Sequence, residues 1–194
     1  FATPALAVTE IRWWHAMTGA NNEVVVRLAS EFNAAQSDYK VVPTYKAGYA
    51  DTMNAGIAAF RAGNAPHILQ VFEVGTATMM AATGAVKPVY KLMQEAGETF
   101  DPNAYLSAIT GYYSTTKGEM LSFPFNSSST VMWVNLDALK KAGINEIPKT
   151  WPQVFEDAKK LKAAGHSTCG FSNAWVTWVN LSQHRRGPRR QAER

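Results

Sequence analysis

The chain is poor in the residues that announce chemistry. A single cysteine, Cys169, stands among 194 residues and excludes an intrachain disulfide. No apolar run approaches the roughly 18 residues of a membrane-spanning helix. CxxC, HExxH, GxSxG and a glycine-rich phosphate loop are all missing. The four histidines, His15, His67, His166 and His184, are too dispersed for a local metal site, so no metal and no cofactor is expected. Each histidine reads as a surface or core residue. His166 lies three residues before Cys169 in the manner of a base beside a thiol, but a small buried strand cysteine is the expectation.

Positive charge is also scarcer than the totals suggest. The formal charge is +4 and the pI about 9.2, which raises nucleic acid or an anionic membrane as partner. Five of the eight arginines, however, fall among the last eleven residues, with one glutamate. Removing those from the 19 basic and 15 acidic residues leaves 14 against 14. Residues 182–194 carry no apolar periodicity and are expected to be a disordered basic tail; without them nothing supports nucleic acid. At the other end, FATPALA (1–7) closes on the small-x-small pattern Ala5, Ala7. It reads as the remnant of a secretory signal, and so predicts export.

What remains, 46% hydrophobic and 18% charged, is ordinary globular composition. Strands are expected at 8–14, 39–45 and 68–72. Between them come helices at 22–35, with Val25, Leu28, Ala29 and Phe32 inward, and at 50–62, with Met53, Ile57 and Phe60 on one stripe. This βαβαβ order predicts a parallel sheet with right-handed crossovers and a ligand at the carboxyl ends of the strands. Residues 74–109 read as short helices broken by Gly84, Pro88, Gly97 and Pro102. Strands at 119–125 and 130–135 flank a polar Asn-Ser-Ser-Ser stretch, followed by a short helix at 136–142. Thr150 and Gln153 form a capping box that opens a helix with Trp151, Val154, Phe155, Ala158 and Leu161 inward. A short strand at 169–172 and an aromatic turn at 175–181 follow. The domain reading is a signal remnant at 1–7, a first lobe at 8–125, the start of a second lobe at 126–181 and the basic tail.

Aromatic side chains are abundant. Trp13, Trp14, Tyr45, Tyr49, Tyr112, Tyr113, Trp133, Trp175 and Trp178 exceed what a core of this size requires, although half of them serve one. Rings stack on the C–H faces of polyols while carboxylates and hydroxyls hold the OH groups, which points to a sugar or polyol site. The serine cluster can receive a phosphate through neutral hydrogen bonds, and Asn126-Ser127-Ser128 fits the glycosylation pattern.

Five strings carry a more specific signal: FNA (32–34), YKVVPTYK (39–46), GIAAFRAGNAP (56–66), EVGTATMM (73–80) and PFNSS (124–128). Together they resemble the glycerol-phosphate branch of the family 1 extracellular solute-binding proteins, the group of the maltose-binding protein. The resemblance runs from about Val8 to Leu181 and covers only the N-terminal half of family members. It implies an α/β fold of the type II periplasmic-binding kind, with two lobes, crossing strands and an incomplete second lobe. It also implies a non-catalytic binding component of an ABC importer for sn-glycerol 3-phosphate or its diesters. Such a component resides in the periplasm and delivers to an inner-membrane permease with a cytoplasmic ATPase.

Position by position, Tyr49 looks like the first-lobe tyrosine of the family, Glu73 like the carboxylate that accepts from glycerol hydroxyls, and Ser128 like the phosphate-contacting serine. Trp175 and Trp178 look like the aromatic pair against which glycerol packs. After Leu181 the family pattern stops as if the reading frame had shifted, and the later serine, glycine, tyrosine and arginine ligands have no counterpart. An arginine contact of this kind contributes about 1.5–3 kcal/mol, so the isolated chain is expected to bind weakly. Two other readings stay open: a binding protein for a neutral sugar or oligosaccharide, and a glycan-acting enzyme pairing Glu73 with a second carboxylate.

Overall fold

The computed structural model describes residues 8–174 except 83, 100, 112, 166 and 167. Two compact units divide the chain, Phe1–Asn126 and Ser127–Arg194. The expected signal remnant, the aromatic turn with Trp175 and Trp178, and the basic tail lie outside the described residues.

Three strands and two helices alternate at the start of the first unit: β1 (Thr9–His15), α1 (Gly19–Ala35), β2 (Tyr39–Tyr45), α2 (Tyr49–Arg61) and β3 (Ile68–Leu69). The sheet order is β2-β1-β3 and both pairings are parallel, from Thr9 opposite Tyr39 to His15 opposite Tyr45, and from Trp13 opposite Ile68 to Trp14 opposite Leu69. β3 is shorter than expected because side chains continue its ladder. At one end the Arg12 N–H donates to His67 Nδ1 at 3.0 Å. At the other the Ala16 N–H donates to Gln70 Oε1, also at 3.0 Å.

The end of α1 and the turn after it supply two further side-chain amides to β2. Gln36 accepts from the Tyr39 N–H and donates to the Tyr39 carbonyl. Asn33 does the same for Val41, at 2.7 and 2.9 Å.

The faces that the helices bury differ from the expected stripes. α1 buries Val25 and Ala29, but Leu28 is 40% and Phe32 46% exposed, both on the rim of an open apolar trough of about 330 Å³ over Trp13 and Ile68. In α2 the buried residues are Thr52 and Gly56, while Phe60 is exposed. The reason is close approach: a Cβ on Gly56 would run into the Leu69 methyls, so the small residues face the sheet. The Thr52 hydroxyl is satisfied by donating to the Gly48 carbonyl at 2.9 Å, which removes the desolvation cost of burying it.

Short helices follow, as the breakers predict: α3 (Glu73–Ala81), α4 (Val89–Ala96), a 3-10 turn (Pro102–Ala104) and α5 (Ser107–Thr110). Gly97 ends α4 in the left-handed conformation at φ 71°. The strand expected at 119–125 reduces to one antiparallel bridge, Ser114 to Met120. From there the Met120 and Leu121 carbonyls accept from Tyr90 and Val89 at the start of α4.

The second unit contains α6 (Leu136–Lys141) and α7 (Trp151–Ala163) around buried Leu139, Ile144 and Val154. Both helices begin on the caps their sequences call for. Asn135 Oδ1 accepts from the Ala138 N–H at 2.9 Å. Thr150 and Gln153 exchange the reciprocal bonds of a capping box. The inward stripe of α7 is only partly buried, since Trp151 and Phe155 are exposed and stack on each other.

The strands expected at 130–135 and 169–172 are not formed. A strand needs a neighbouring strand to complete its ladder, and among the described residues no strand lies at either segment; Trp133 is 93% exposed. Cys169 is correspondingly exposed rather than a buried strand residue.

Candidate functional site

Each strand of the sheet hands over to a helix in the same way. β1 ends at His15 and α1 starts at Gly19; β2 ends at Tyr45 and α2 starts at Tyr49; β3 ends at Leu69 and α3 starts at Glu73. Three helix N-termini therefore follow directly from the carboxyl ends of three parallel strands. None of the three N-cap residues, Thr18, Gly48 and Phe72, makes a side-chain cap bond. First-turn N–H groups lie at the positive end of each helix dipole, and in α2 the Asp51 carboxylate already occupies that position by accepting from the Gly48 N–H. Among the described residues there is no group of three His, Cys, Asp or Glu able to hold a metal.

The turn after β2 places Tyr49. Ala47 adopts φ 66°, uncommon for a residue with a Cβ, and the Gly48 N–H donates to Asp51 Oδ2 at 3.2 Å. Tyr49 thereby becomes the first residue of α2, its ring 5.8 Å from that of Phe72. Phe72 immediately precedes Glu73, the first residue of α3. Lys46, the nearest cation along the chain, holds its ammonium 4.0 Å from the Trp14 ring centroid.

Ser128 belongs to the second unit and is exposed, in an irregular stretch. Trp175 and Trp178 lie outside the described residues. The other aromatics divide. Trp13 packs edge-on against Phe125 at 5.4 Å, a sheet-face contact, while Tyr45 lies 6.1 Å from His15 at the strand ends.

Two polar residues at this edge carry no motif in the sequence. His15 is 1% exposed; burial pushes its pKa down and keeps the imidazole neutral, so that Nδ1 accepts from the Met17 N–H at 3.3 Å. Gln70 is also buried. Besides accepting from Ala16, it donates through Nε2 to Asn126 Oδ1 at 3.2 Å, and Asn126 Nδ2 in turn contacts Met17 Sδ at 3.8 Å. Their signal in the sequence is positional: a polar residue at the last step of an apolar strand.

Residues 18–184 match the family described as bacterial extracellular solute-binding protein. The sn-glycerol-3-phosphate-binding periplasmic protein UgpB of Brucella abortus (strain 2308) is 56% identical over 177 residues, covering 90% of this chain and 41% of that protein. UgpB of Rhizobium meliloti (strain 1021) is 55% identical over 181 residues, 92% of this chain and 42% of that one. UgpB of Escherichia coli O1:K1 / APEC is 52% identical over 180 residues, 91% and 41% respectively. The chain thus spans about two fifths of the length of these curated relatives.

Two solved structures share the fold. One is described as CpMnBP1 with mannotriose bound, with TM-score 0.61, 21% identity, and coverage of 79% of this chain and 38% of that one. The other is maltose-bound T. maritima MalE3, with TM-score 0.61, 18% identity, and coverage of 82% and 39%.

Proposed function

Since this chain belongs to the bacterial extracellular solute-binding protein family and has the α/β fold of the type II periplasmic binding proteins, we infer that it carries part of the ligand site of an importer for sn-glycerol 3-phosphate. The observation that carries this reading is the 52–56% identity to three UgpB proteins, which runs through both the Tyr49 to Glu73 edge and the segment bearing Ser128. The relatives are binding proteins and not enzymes.

In this role the Tyr49 hydroxyl meets the polar solute. The Glu73 carboxylate accepts from the two glycerol hydroxyls, and Ser128 donates to the phosphate. Trp175 and Trp178 supply the apolar wall for the glycerol carbons. Neutral donors suffice to orient a phosphate, but they hold it less tightly than a charge-assisted pair. The holder works in the periplasm and delivers to a membrane permease driven by a cytoplasmic ATPase.

A two-dimensional amide spectrum of the chain, titrated with millimolar sn-glycerol 3-phosphate, glycerol, inorganic phosphate and maltose, tests the reading. The expected result is that glycerol 3-phosphate moves the Tyr49, Glu73 and Ser128 amides further than glycerol or phosphate alone. Equal or larger shifts with maltose would replace it with the neutral-sugar reading.

A further inference from the structure

The boundary between the two units falls at the peptide bond joining Asn126 to Ser127, and Asn126 is tied to the carboxyl end of the sheet by a chain of bonds with only one polarity. The Ala16 N–H is an obligate donor, so the Gln70 amide must present Oε1 to it. That leaves Gln70 Nε2 to donate to Asn126, which must present Oδ1, and Asn126 Nδ2 is thereby turned to Met17 Sδ. Met17 is in turn held by its own N–H on His15 Nδ1. On the other side of the same passage the Phe125 ring packs edge-on against Trp13. A buried glutamine both of whose amide atoms are committed is costly to rearrange, since either loss strands a desolvated group.

We propose that Gln70 and Asn126 are positioning residues: their amide pair ties Asn126, the last residue of the first unit, to the sheet, and so orders the serine segment 127–129 that follows. This rests on the reading of Ser128 as an anion contact only for its functional consequence. The ordering itself is a property of the chain without ligand.

Nitrogen-15 relaxation on the 194-residue chain, with amide exchange as a second readout, tests it. Asn126→Ala, a change at an exposed position, is expected to loosen the amides of 127–129 while the Ala16 amide stays protected. Asn126→Asp keeps an acceptor for Gln70 Nε2 and is expected to preserve the order. Adding Gln70→Glu to Asn126→Asp sets carboxylate against carboxylate and is expected to loosen 127–129 again, although Ala16 keeps its acceptor. Unchanged relaxation at 127–129 in Asn126→Ala, or equal loosening in Asn126→Asp and Asn126→Ala, overturns the proposal.

A titration with inorganic phosphate separates the two readings. A wild-type chain whose 127–129 amides do not respond removes the role of Ser128 and leaves the anchor to be judged by relaxation. A response that is several-fold weaker in Asn126→Ala than in wild type supports both.

Discussion

The two units solve the same problem with different means. In the first, β1 is paired on both sides with strands distant in sequence, and its buried residues include the polar His15, Thr52 and Gln70, each with a partner. In the second, the described elements are two helices, each started by a cap within three residues of its own sequence. The caps of α6 and α7 need only residues a few positions away, whereas a strand forms only where a neighbour is. The second unit accordingly shows its helices and none of its expected strands among the described residues.

The largest expected effect concerns a place in the second unit where a chain segment packs directly on helix backbone. A Cβ at Gly170 would overlap the backbone of Ala158 in α7, and neither side can yield by rotating a side chain. Gly170→Ala is expected to cost about 1–3 kcal/mol, read as faster amide exchange in α7 with β1 and β2 unaffected. The mirror experiment is Gly56→Ala, where the obstacle is the flexible Leu69 side chain and helix propensity gains about 1 kcal/mol. Near-neutral stability is expected there, and a loss as large as that of Gly170→Ala would erase the distinction between the two packings.

Thr150→Ala removes one half of the capping box and is expected to cost about 1 kcal/mol, confined to α7. Exchange that quickens equally in β1 would show that the second unit does not stand on its local bonds.

For the first unit, acid is the selective probe. The folded state holds His15 neutral, its pKa lowered by burial, so the unfolded chain takes up a proton first as the pH falls below about 6.5. The stabilisation is complete above that value and is lost through the window down to the folded-state pKa. Urea melts at successive pH values should show this slope in the wild type and a flatter one in His15→Gln. Parallel slopes would mean that another group governs the acid limb.

The smallest effect is at Ala47, whose left-handed backbone costs about 1 kcal/mol relative to glycine. Part of that gain is offset by the greater unfolded-state freedom of glycine. Ala47→Gly is therefore expected to raise the melting temperature by only about 1–2 °C.

The parts of the fold legible in the sequence were those with local causes. The breakers between α3 and α5 and the Thr150 to Gln153 box depend on neighbours a few residues away. The sheet-facing side of α2 was not legible, because apolar periodicity points to Met53, Ile57 and Phe60, while the close approach to Leu69 demands Thr52 and Gly56. At the candidate site, the rule that ligands meet the carboxyl ends of parallel strands points to the turns after β1, β2 and β3, and the family resemblance alone singled out Tyr49 and Glu73 within them. His15 reads in the sequence only as a surface or core histidine and Gln70 carries no signal, because their roles exist only once strands distant in sequence lie side by side.

The side-chain amides of Asn33 and Gln36 have a consequence for how this protein behaves in company. Tyr39 and Val41 turn their backbone groups away from β1, and each is doubly occupied by one of those amides. Pro43, next in the same outward series, has no N–H to offer. The outer border of β2 is therefore blunted against recruitment by another chain from Tyr39 to Pro43. Replacing Asn33 and Gln36 together would reopen the longest flank of the sheet to its own copies.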